Sequence, residues 1–445
     1  MSGGGAGIRE PRVVPRAGHT LSRKRISTNA LKVLYRLQRS GFVSYLVGGA
    51  VRDILLGRTP KDFDVGTDAR PQQVRQLFRN ARLIGRRFRL ARILFHGEVV
   101  EVATFRRTPE PPEIDEGEEG GDVLAPVVEA DEYGSPAEDA WRRDFTVNGL
   151  FYDIATYAVI DHVGGLDDLR DGLIRSVGPA EVRFLEDPVR MMRAVEYAAR
   201  LGFRIEDSTA QAIAALGAEV RRASPARVAY ELGESLKTGS ALAIFRGLEE
   251  SGLLLHIVPE AHAALVQRSD GLLWSLLAAL DGAIRSGQAV TEEAMFGVLH
   301  LPVFLSAVAP EWQTAVELPS VEQAVREHLD APSARLALSN YRAHILRNAF
   351  AMLTRILAAP KQNRVVIRAV RNEAFPTAWQ LALFLGQATG KFGEELARWR
   401  QAIGRVEAGE PPIPEPERTA RTAARRRPRR RRRPRGRQIA AGGGT

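Results

Sequence analysis

Apolar and polar positions change period along this chain of 445 residues. In "STNALKVLYRLQRSG" the apolar residues recur at helical spacing, with Ser27 as the cap and Gly41 as the stop. The runs "FVSYLVG", "ARILF" and "EVVEVATF" read as strands, as does a stretch near Asp62–Val65. Two helices, "AVRDILLG" and "RPQQVRQLFRN", lie among them. This β–α–β–α–β–β order predicts an α/β unit. Residues 107–140 are Pro, Gly and acid, too long and too polar for a buried connection, and predict a surface insertion loop. Structure resumes at "WRRDFTVNGLFYD", and "DHVGGLDDLRDGLIRSVG" reads as short strands and turns. From Asp187 onward the period is helical. Helices are predicted over 187–201, 207–216, 225–237, 240–252, 272–286, 291–299, 320–329, 333–357 and 376–406. After Glu410 the chain is low-complexity and cannot bury a core.

Composition narrows the chemistry. There is no cysteine, so disulfides and thiolate metal sites are excluded. The eight histidines show no metal-ligand spacing. No apolar run approaches the roughly 20 residues a membrane span needs. The first twenty residues lack the apolar segment of a secretory signal. A soluble cytoplasmic protein without a membrane partner is expected.

Charge sharpens this picture. The net charge is +10, but residues 418–437 hold twelve arginines and no acid, so the remainder sums to −2. Residues 110–139 hold twelve acids and no Lys or Arg, so outside both segments the chain again carries +10. A basic body with a more basic tail suits a polyanionic partner. The acidic loop is a candidate competitor for that tail.

The densest chemistry lies in "LVGGAVRD" and "PKDFDVGT". Gly48 and Gly49 sit where a strand turns into a helix, a place where backbone N–H groups approach a phosphate. Arg52, one turn later, could reach the same anion. Asp62 and Asp64, two apart, share a strand face, with Phe63 on the other. Unpaired they would repel, and a divalent cation would remove the repulsion. Mg²⁺ prefers one or two carboxylates plus phosphate oxygens, and two such ions can clamp a phosphoryl displacement. The alternative is two acids neutralised by Lys61 or Arg58. Glu101, between Val100 and Val102, and Asp144, in "RRDFTVN", are candidates for a third carboxylate that orients or deprotonates a hydroxyl. Glu101 pointing to solvent and Asp144 as a helix cap are the alternatives.

The four segments "YLVGGAVRDILLG", "KDFDVGT", "RRDFTVNGL" and "EDPVRMMRAVEYAARLGF", in this order, resemble the class II nucleotidyltransferases. These are the tRNA CCA-adding enzymes and the bacterial poly(A) polymerases. The resemblance covers roughly residues 25–240. It implies that Asp62 and Asp64 carry two Mg²⁺ ions, with Mn²⁺ an alternative. It further implies that Gly49 and Arg52 serve a triphosphate and that Arg143, Asp144 and Asn148 lie by the ribose, Asp144 often counting among the catalytic acids.

Base choice would fall to "FLEDPVRMMR". Asp187 before Pro188 is a strong helix start. Asp187 and Arg190 also lie one turn apart on one face. An acceptor beside a donor matches the pairing edge of adenine and of cytosine, and mismatches guanine and uracil. Arg193 continues that face towards nucleotide or phosphate. The pair therefore cannot separate a poly(A) polymerase from a CCA-adding enzyme. "LFRNARLIGRRFRLARILF", with Arg82, Arg86, Arg87, Arg89 and Arg92, resembles the segment after the aspartates in bacterial poly(A) polymerases and suits an RNA strand. The arginine tail and "SRKRIS" point the same way. Three positions depart from the family pattern: Arg92 where histidine is frequent, Gly149 where Ser or Ala is usual, and Glu196 where a base is common.

The expected fold is an α/β nucleotidyltransferase head (a mixed sheet with helices), an all-helical neck and body, and a disordered Arg-rich tail. The predicted layout is a disordered extension over 1–20, the head over 21–180 with its loop at 107–140, a base-recognising neck over 181–245, an RNA-binding body over 246–408, and the tail over 409–445. The expected reaction is template-independent transfer of AMP from ATP to an RNA 3′ end. CCA addition, or RNA binding without catalysis, are the alternatives. A monomer is expected, with RNA-decay or RNA-chaperone proteins as candidate partners.

Overall fold

A computed structural model describes residues 10–85, 90–107, 133–267, 270–308, 318–358, 360 and 362–413. Eight strands form one mixed sheet: β1 (Arg12–Val14), β2 (Ser44–Val47), β3 (Asp64–Thr67), β4 (Ala81–Ile84), β5 (Leu90–Phe95), β6 (Glu98–Thr104), β7 (Leu150–Tyr152) and β8 (Val159–Asp161). Their order across the sheet is β1-β8-β7-β2-β3-β6-β5-β4. Neighbours are antiparallel except β3 and β6. That one parallel pairing puts β3 in the middle of the sheet, between β2 and β6.

Alternation sorts the residues of these strands. Val65, Ile93, Val100 and Val102 are buried on one face. There they join Ala30, Val33, Leu34 and Leu37 of α1 (Thr28–Arg39). Each fully buried Leu or Val adds on the order of 1.5–3 kcal/mol. Ser27 caps α1 by accepting the Ala30 N–H at 3.0 Å, as its sequence position predicts. The helices α2 (Gly49–Leu55), α3 (Pro71–Leu77), α4 (Pro136–Trp141), α5 (Gly165–Asp171) and α6 (Ala180–Glu186) complete this half.

The second half is helical, with α7 (Val189–Leu201), α8 (Asp207–Leu216), α9 (Pro225–Lys237), α10 (Ala241–Glu250), α11 (Leu254–Ile257), α12 (Pro259–Gln267), α13 (Leu272–Arg285), α14 (Glu292–Val308), α15 (Leu318–Arg335), α16 (Asn340–Ile356), α17 (Asn363–Val370), α18 (Phe375–Thr389) and α19 (Gly393–Glu407). One continuous apolar core runs from Phe145 and Val147 of the first half to Trp399 and Ala402 of α19.

Several expectations are corrected. The segment 1–20, read as disordered, contributes β1. Its "RVV" pairs antiparallel with β8, and Arg12 bonds Asp167 at 3.0 Å. Gly, Pro and Arg dominate the local composition, but three β-compatible residues suffice once an edge strand is waiting. Residues 1–9 lie outside the described residues. The loop 107–140 is helical at its end, because Ser135 and Glu138 form a capping box over α4; residues 108–132 lie outside the described residues. The turns expected near 165–171 are α5, with left-handed Gly164 and Gly172 at its ends. The helix expected over 376–406 breaks into α18 and α19 at Gly390 and Phe392, both at positive φ. The tail from residue 414 lies outside the described residues.

Candidate active site

A cleft of about 1000 Å³ opens between the sheet and helices α7 and α9. Its sheet side is built by register. Asp64 pairs with Glu101, Glu101 with Arg92, and Arg92 with Arg82, so one row crosses four strands. Alternation puts the row on the face opposite Val65, Val100 and Val102. Two acids stand at the centre of the sheet and two arginines towards its edge. Arg92 Nε donates to Glu101 at 2.7 Å, so an arginine at this departure from the family pattern holds the second acid of the row.

Asp62 lies just before β3 rather than within it, so the shared strand face predicted for both acids applies to Asp64 alone. Phe63 turns towards the head core as expected. Both aspartates line the cleft. Among the described residues neither carboxylate takes a hydrogen bond or an ion pair. The two cations that would neutralise them are engaged elsewhere. Lys61 pairs with Glu234 at 3.3 Å, and Arg58 donates to the carbonyls of Arg200 and Leu201. Asp64 has an open edge but sits in a concave floor. Desolvation first, then repulsion from Glu101 and more weakly from Asp62, push its carboxyl up to about 6 against the pull of Arg143.

Gly48 caps α2 at φ +71°, a conformation that favours glycine. A Cβ there would also stand 2.8 Å from Arg143 Nη1. Its own N–H donates to Leu150 O at 3.1 Å, so that donor serves the sheet. Gly49 and Arg52 line the cleft too. Arg52, however, is 2% exposed and fully engaged. Its Nη1 donates to Asn148 Oδ1 at 2.6 Å, and its Nε to Asp53 at 2.8 Å. The arginine expected to reach an anion thus braces Asp53 and Asn148 at the cleft wall.

The network continues from Asn148. Its Nδ2 donates to Asp144 Oδ1 at 3.0 Å, which also accepts the Phe145 N–H at 2.8 Å. Asp144 Oδ2 accepts from Arg193 Nε at 2.9 Å. Asp144 does not cap a helix; it ties the sheet half to α7. Burial works to raise its carboxyl, but Arg193 and the donors around it outweigh burial and hold it below the usual carboxylate range. Arg143 donates to Asp139 at 3.0 Å and to Asn148 O at 3.3 Å. Gly149 stands where a larger residue is usual, and a Cβ there would meet Val163 Cγ2 at 2.5 Å, so a larger residue needs Val163 to shift.

α7 is two-faced. Val189, Met191, Met192, Ala194 and Val195 are buried, while Arg193, Tyr197 and Arg200 look into the cleft. Tyr197 drew no attention in the sequence. Its ring faces the guanidinium groups of Arg52, Arg193 and Arg200 at 5.1, 5.3 and 5.5 Å. Its hydroxyl accepts from Arg193 Nη2 at 2.7 Å. Spacing by four from Arg193 was the available signal. Glu231 of α9, 3.5 Å from Arg193, carried none. Glu196 is buried and pairs with Arg200 at 3.1 Å, so its negative charge is met locally.

Asp187 and Arg190 stand at the first turn of α7, outside the cleft lining. Asp187 Oδ1 accepts the Val189 N–H at 3.3 Å, its other oxygen bonds Arg227, and Arg190 Nε is 3.9 Å away. Arg190 Nη1 donates to Glu186 and to Arg183 O. Of the basic segment, Arg82 is exposed at the end of the charge row. Arg86, Arg87 and Arg89 lie outside the described residues.

Sheet, turn and carboxylate row together define a nucleotidyltransferase head followed by a helical body. The fold agrees with solved structures. The chain matches "tRNA-processing enzyme (apo form I)" at a TM-score of 0.58 and 21% identity, covering 88% of this chain and 94% of that one. It matches "tRNA nucleotidyltransferase complexed with a primer tRNA and an incoming ATP analog" at a TM-score of 0.56 and 22% identity, covering 84% and 99%. The family description "Poly A polymerase head domain" fits residues 44–175, and "Probable RNA and SrmB- binding site of polymerase A" fits residues 202–265. Poly(A) polymerase I of Salmonella typhi is 37% identical over 407 residues, 90% of this chain and 86% of its own length. That of Escherichia coli O6:H1 is 35% identical over 434 residues, covering 94% and 92%. A CCA-adding enzyme of Lactobacillus johnsonii is 39% identical, but over 188 residues, 42% of this chain and 44% of its own. The chain belongs to the poly(A) polymerase family and is an RNA nucleotidyltransferase. No helix among the described residues is long and apolar enough to cross a membrane.

Proposed function

We propose that this protein adds adenylate from ATP to RNA 3′ ends without a template, in the cytoplasm and as a monomer. The 3′ oxygen of RNA bonds to the α-phosphorus of ATP, the α–β bridging bond breaks, and pyrophosphate leaves. The observation that carries the reading is the pair of carboxylates, Asp62 and Asp64, without a partner among the described residues on the cleft floor beside Glu101.

Among the described residues no group of three or more His, Asp or Glu side chains forms a metal cage. Two bare carboxylates still fit a hard divalent cation that keeps ligand positions for phosphate oxygens. Asp62 and Asp64 would hold two Mg²⁺ ions, with Mn²⁺ as the alternative, and these supply charge neutralisation for the attacking hydroxyl and the departing pyrophosphate. Glu101 and Asp144 flank this floor. The Arg52–Asn148–Asp144–Arg193 network holds the opposing wall in place, and Arg143 adds positive charge beside the acids. For adenine recognition, Asp187 and Arg190 exchange Arg227 and Glu186 for the base edge.

Sequence likeness to poly(A) polymerase I runs over 90% of the chain and that to the CCA-adding enzyme of Lactobacillus johnsonii over 42%, which favours adenylate tails, while the fold is common to both groups. Purified protein is offered a tRNA lacking its end and an unrelated RNA, with ATP alone or with ATP and CTP. Long adenylate tails on both RNAs are expected. Addition that stops after CCA, confined to tRNA, would replace this reading.

A further inference from the structure

Several arginines of the helical body are paired, whereas exposed Arg326, Arg355 and Arg400, on separate helices, have no hydrogen bond or ion pair among the described residues. Arg335 bonds Glu260, Arg342 bonds Glu292, and Arg347 bonds Asp330 at 2.9 Å. α17 brings three such arginines together. Arg364, Arg368 and Arg371 are all exposed, and none of their guanidinium groups has a hydrogen bond or ion pair among the described residues. Their spacing of four and three puts them in one stripe. The opposite side of the helix is apolar: Val366 is fully buried, and Ala369 and Val370 pack on the body core. At 1.5 Å per residue the stripe is about 10 Å long. α17 itself contains no acid; the nearest in sequence, Glu373, accepts from the Tyr341 hydroxyl at 3.4 Å.

A second observation ties this stripe to the tail. Asn363, the first residue of α17, accepts the Ile413 N–H and donates to Ile413 O at 3.3 Å. This clamp fixes the root of the C-terminal segment, whose residues 418–437 contain twelve arginines, at the start of the same helix. Three cations on one face, without a counter-charge among the described residues, make a polyanion-binding arrangement. Phosphate contacts from arginine position a strand whatever its sequence, so the stripe is expected to read charge.

We propose that the Arg364–Arg368–Arg371 face of α17 docks the phosphate backbone of single-stranded RNA away from the cleft. It retains the substrate while its 3′ end is extended. The proposal rests on RNA being the substrate, but not on which nucleotide is added. The test is equilibrium binding of an unstructured RNA to the full chain without nucleotide, across a salt series. In R364Q/R368Q/R371Q the log–log salt dependence should become less steep by roughly 2, three contacts at about 0.7 each, and affinity at low salt should fall. The triple lysine variant keeps the charge and should behave as wild type. Unchanged affinity and slope in the glutamine variant overturn the proposal, as does an equal loss in the lysine variant. Loss of binding to polyglutamate with RNA binding intact would assign the stripe to an acidic protein instead, and overturns it too. A wrong nucleotide in the product assay, with the slope change present, would correct the proposed reaction and leave this strip standing.

Discussion

The two walls of the cleft treat charge in opposite ways. On the sheet wall, Asp62 and Asp64 face the cavity without a protein partner among the described residues. On the wall of α7 and α9, and in the head residues that brace it, every buried charge has one: Asp144 with Arg193, Arg193 with Glu231, Glu196 with Arg200, and Arg52 with Asp53 and Asn148. A carboxylate without a partner raises the energy of the folded state and awaits a ligand. A saturated network fixes geometry and leaves little for chemistry. The contrast assigns reaction to the first wall and alignment to the second, although both are built from the same residue types.

The largest expected effect comes from removing the first wall's charge. Asp64→Ala should abolish nucleotidyl transfer, a loss of several kcal/mol of transition-state stabilisation or roughly a thousandfold, while the melting temperature holds or rises. Tailing that persists in single-turnover assays would be falsifying for the metal-platform role of Asp64.

Asp144→Ala should do the reverse in stability. It removes the shortest ion pair of Arg193, leaving Glu231 at 3.5 Å and Tyr197, and should cost about 3 kcal/mol in denaturant melts. The pH dependence follows from the same bridge. The folded carboxyl lies below its ordinary value of 3.8, so its stabilisation is present above that value and is lost as pH falls further. Acid-melting curves of Asp144→Asn should lack this component. Equal acid sensitivity in both proteins would show that the bridge does not stabilise the fold.

Tyr197→Leu removes one ring from beneath three guanidinium groups and should cost about 1–2 kcal/mol. It should also raise KM more than it lowers kcat, since the ring aligns a wall and touches no reacting atom. A kcat collapse at unchanged KM would move Tyr197 into the reaction. The smallest effect is expected at the cleft mouth. Lys61 is largely exposed and its pairing with Glu234 is screened, so Lys61→Ala should change stability by under about 0.5 kcal/mol. A larger loss would mean that the two walls are held together by this link.

The chemistry-bearing segments were readable because each combines local signals. Gly-Gly after an apolar run marked the turn before α2, and two acids flanking Phe63 marked the cleft floor. Helical spacing led to Arg193, which lines the cleft, and also to Asp187 and Arg190, which stand outside its lining. Other features were invisible for physical reasons. β1 is three residues long and exists only because β8 offers an open edge. α5 carries a glycine at each end, which reads as a turn until its ends are seen in left-handed conformation. Arg52 looked like a free cation, since its partner Asn148 lies 96 residues away.

Periodicity, helix stops and the strands that carry Asp64 and Glu101 were settled by the chain alone, because backbone geometry converts an apolar period directly into faces; the register that sets the two acids side by side was not. Which acids are left without a counter-charge was not. Lys61, Arg58, Arg92 and Arg193 are all within reach on paper. Only the packing of α7 and α9 against the sheet sends Arg193 to Asp144, Arg58 to the end of α7 and Lys61 to Glu234. Pairing of charges depends on distances between elements far apart in sequence, and folding decided that the two aspartates of "KDFDVGT" would be the ones left bare.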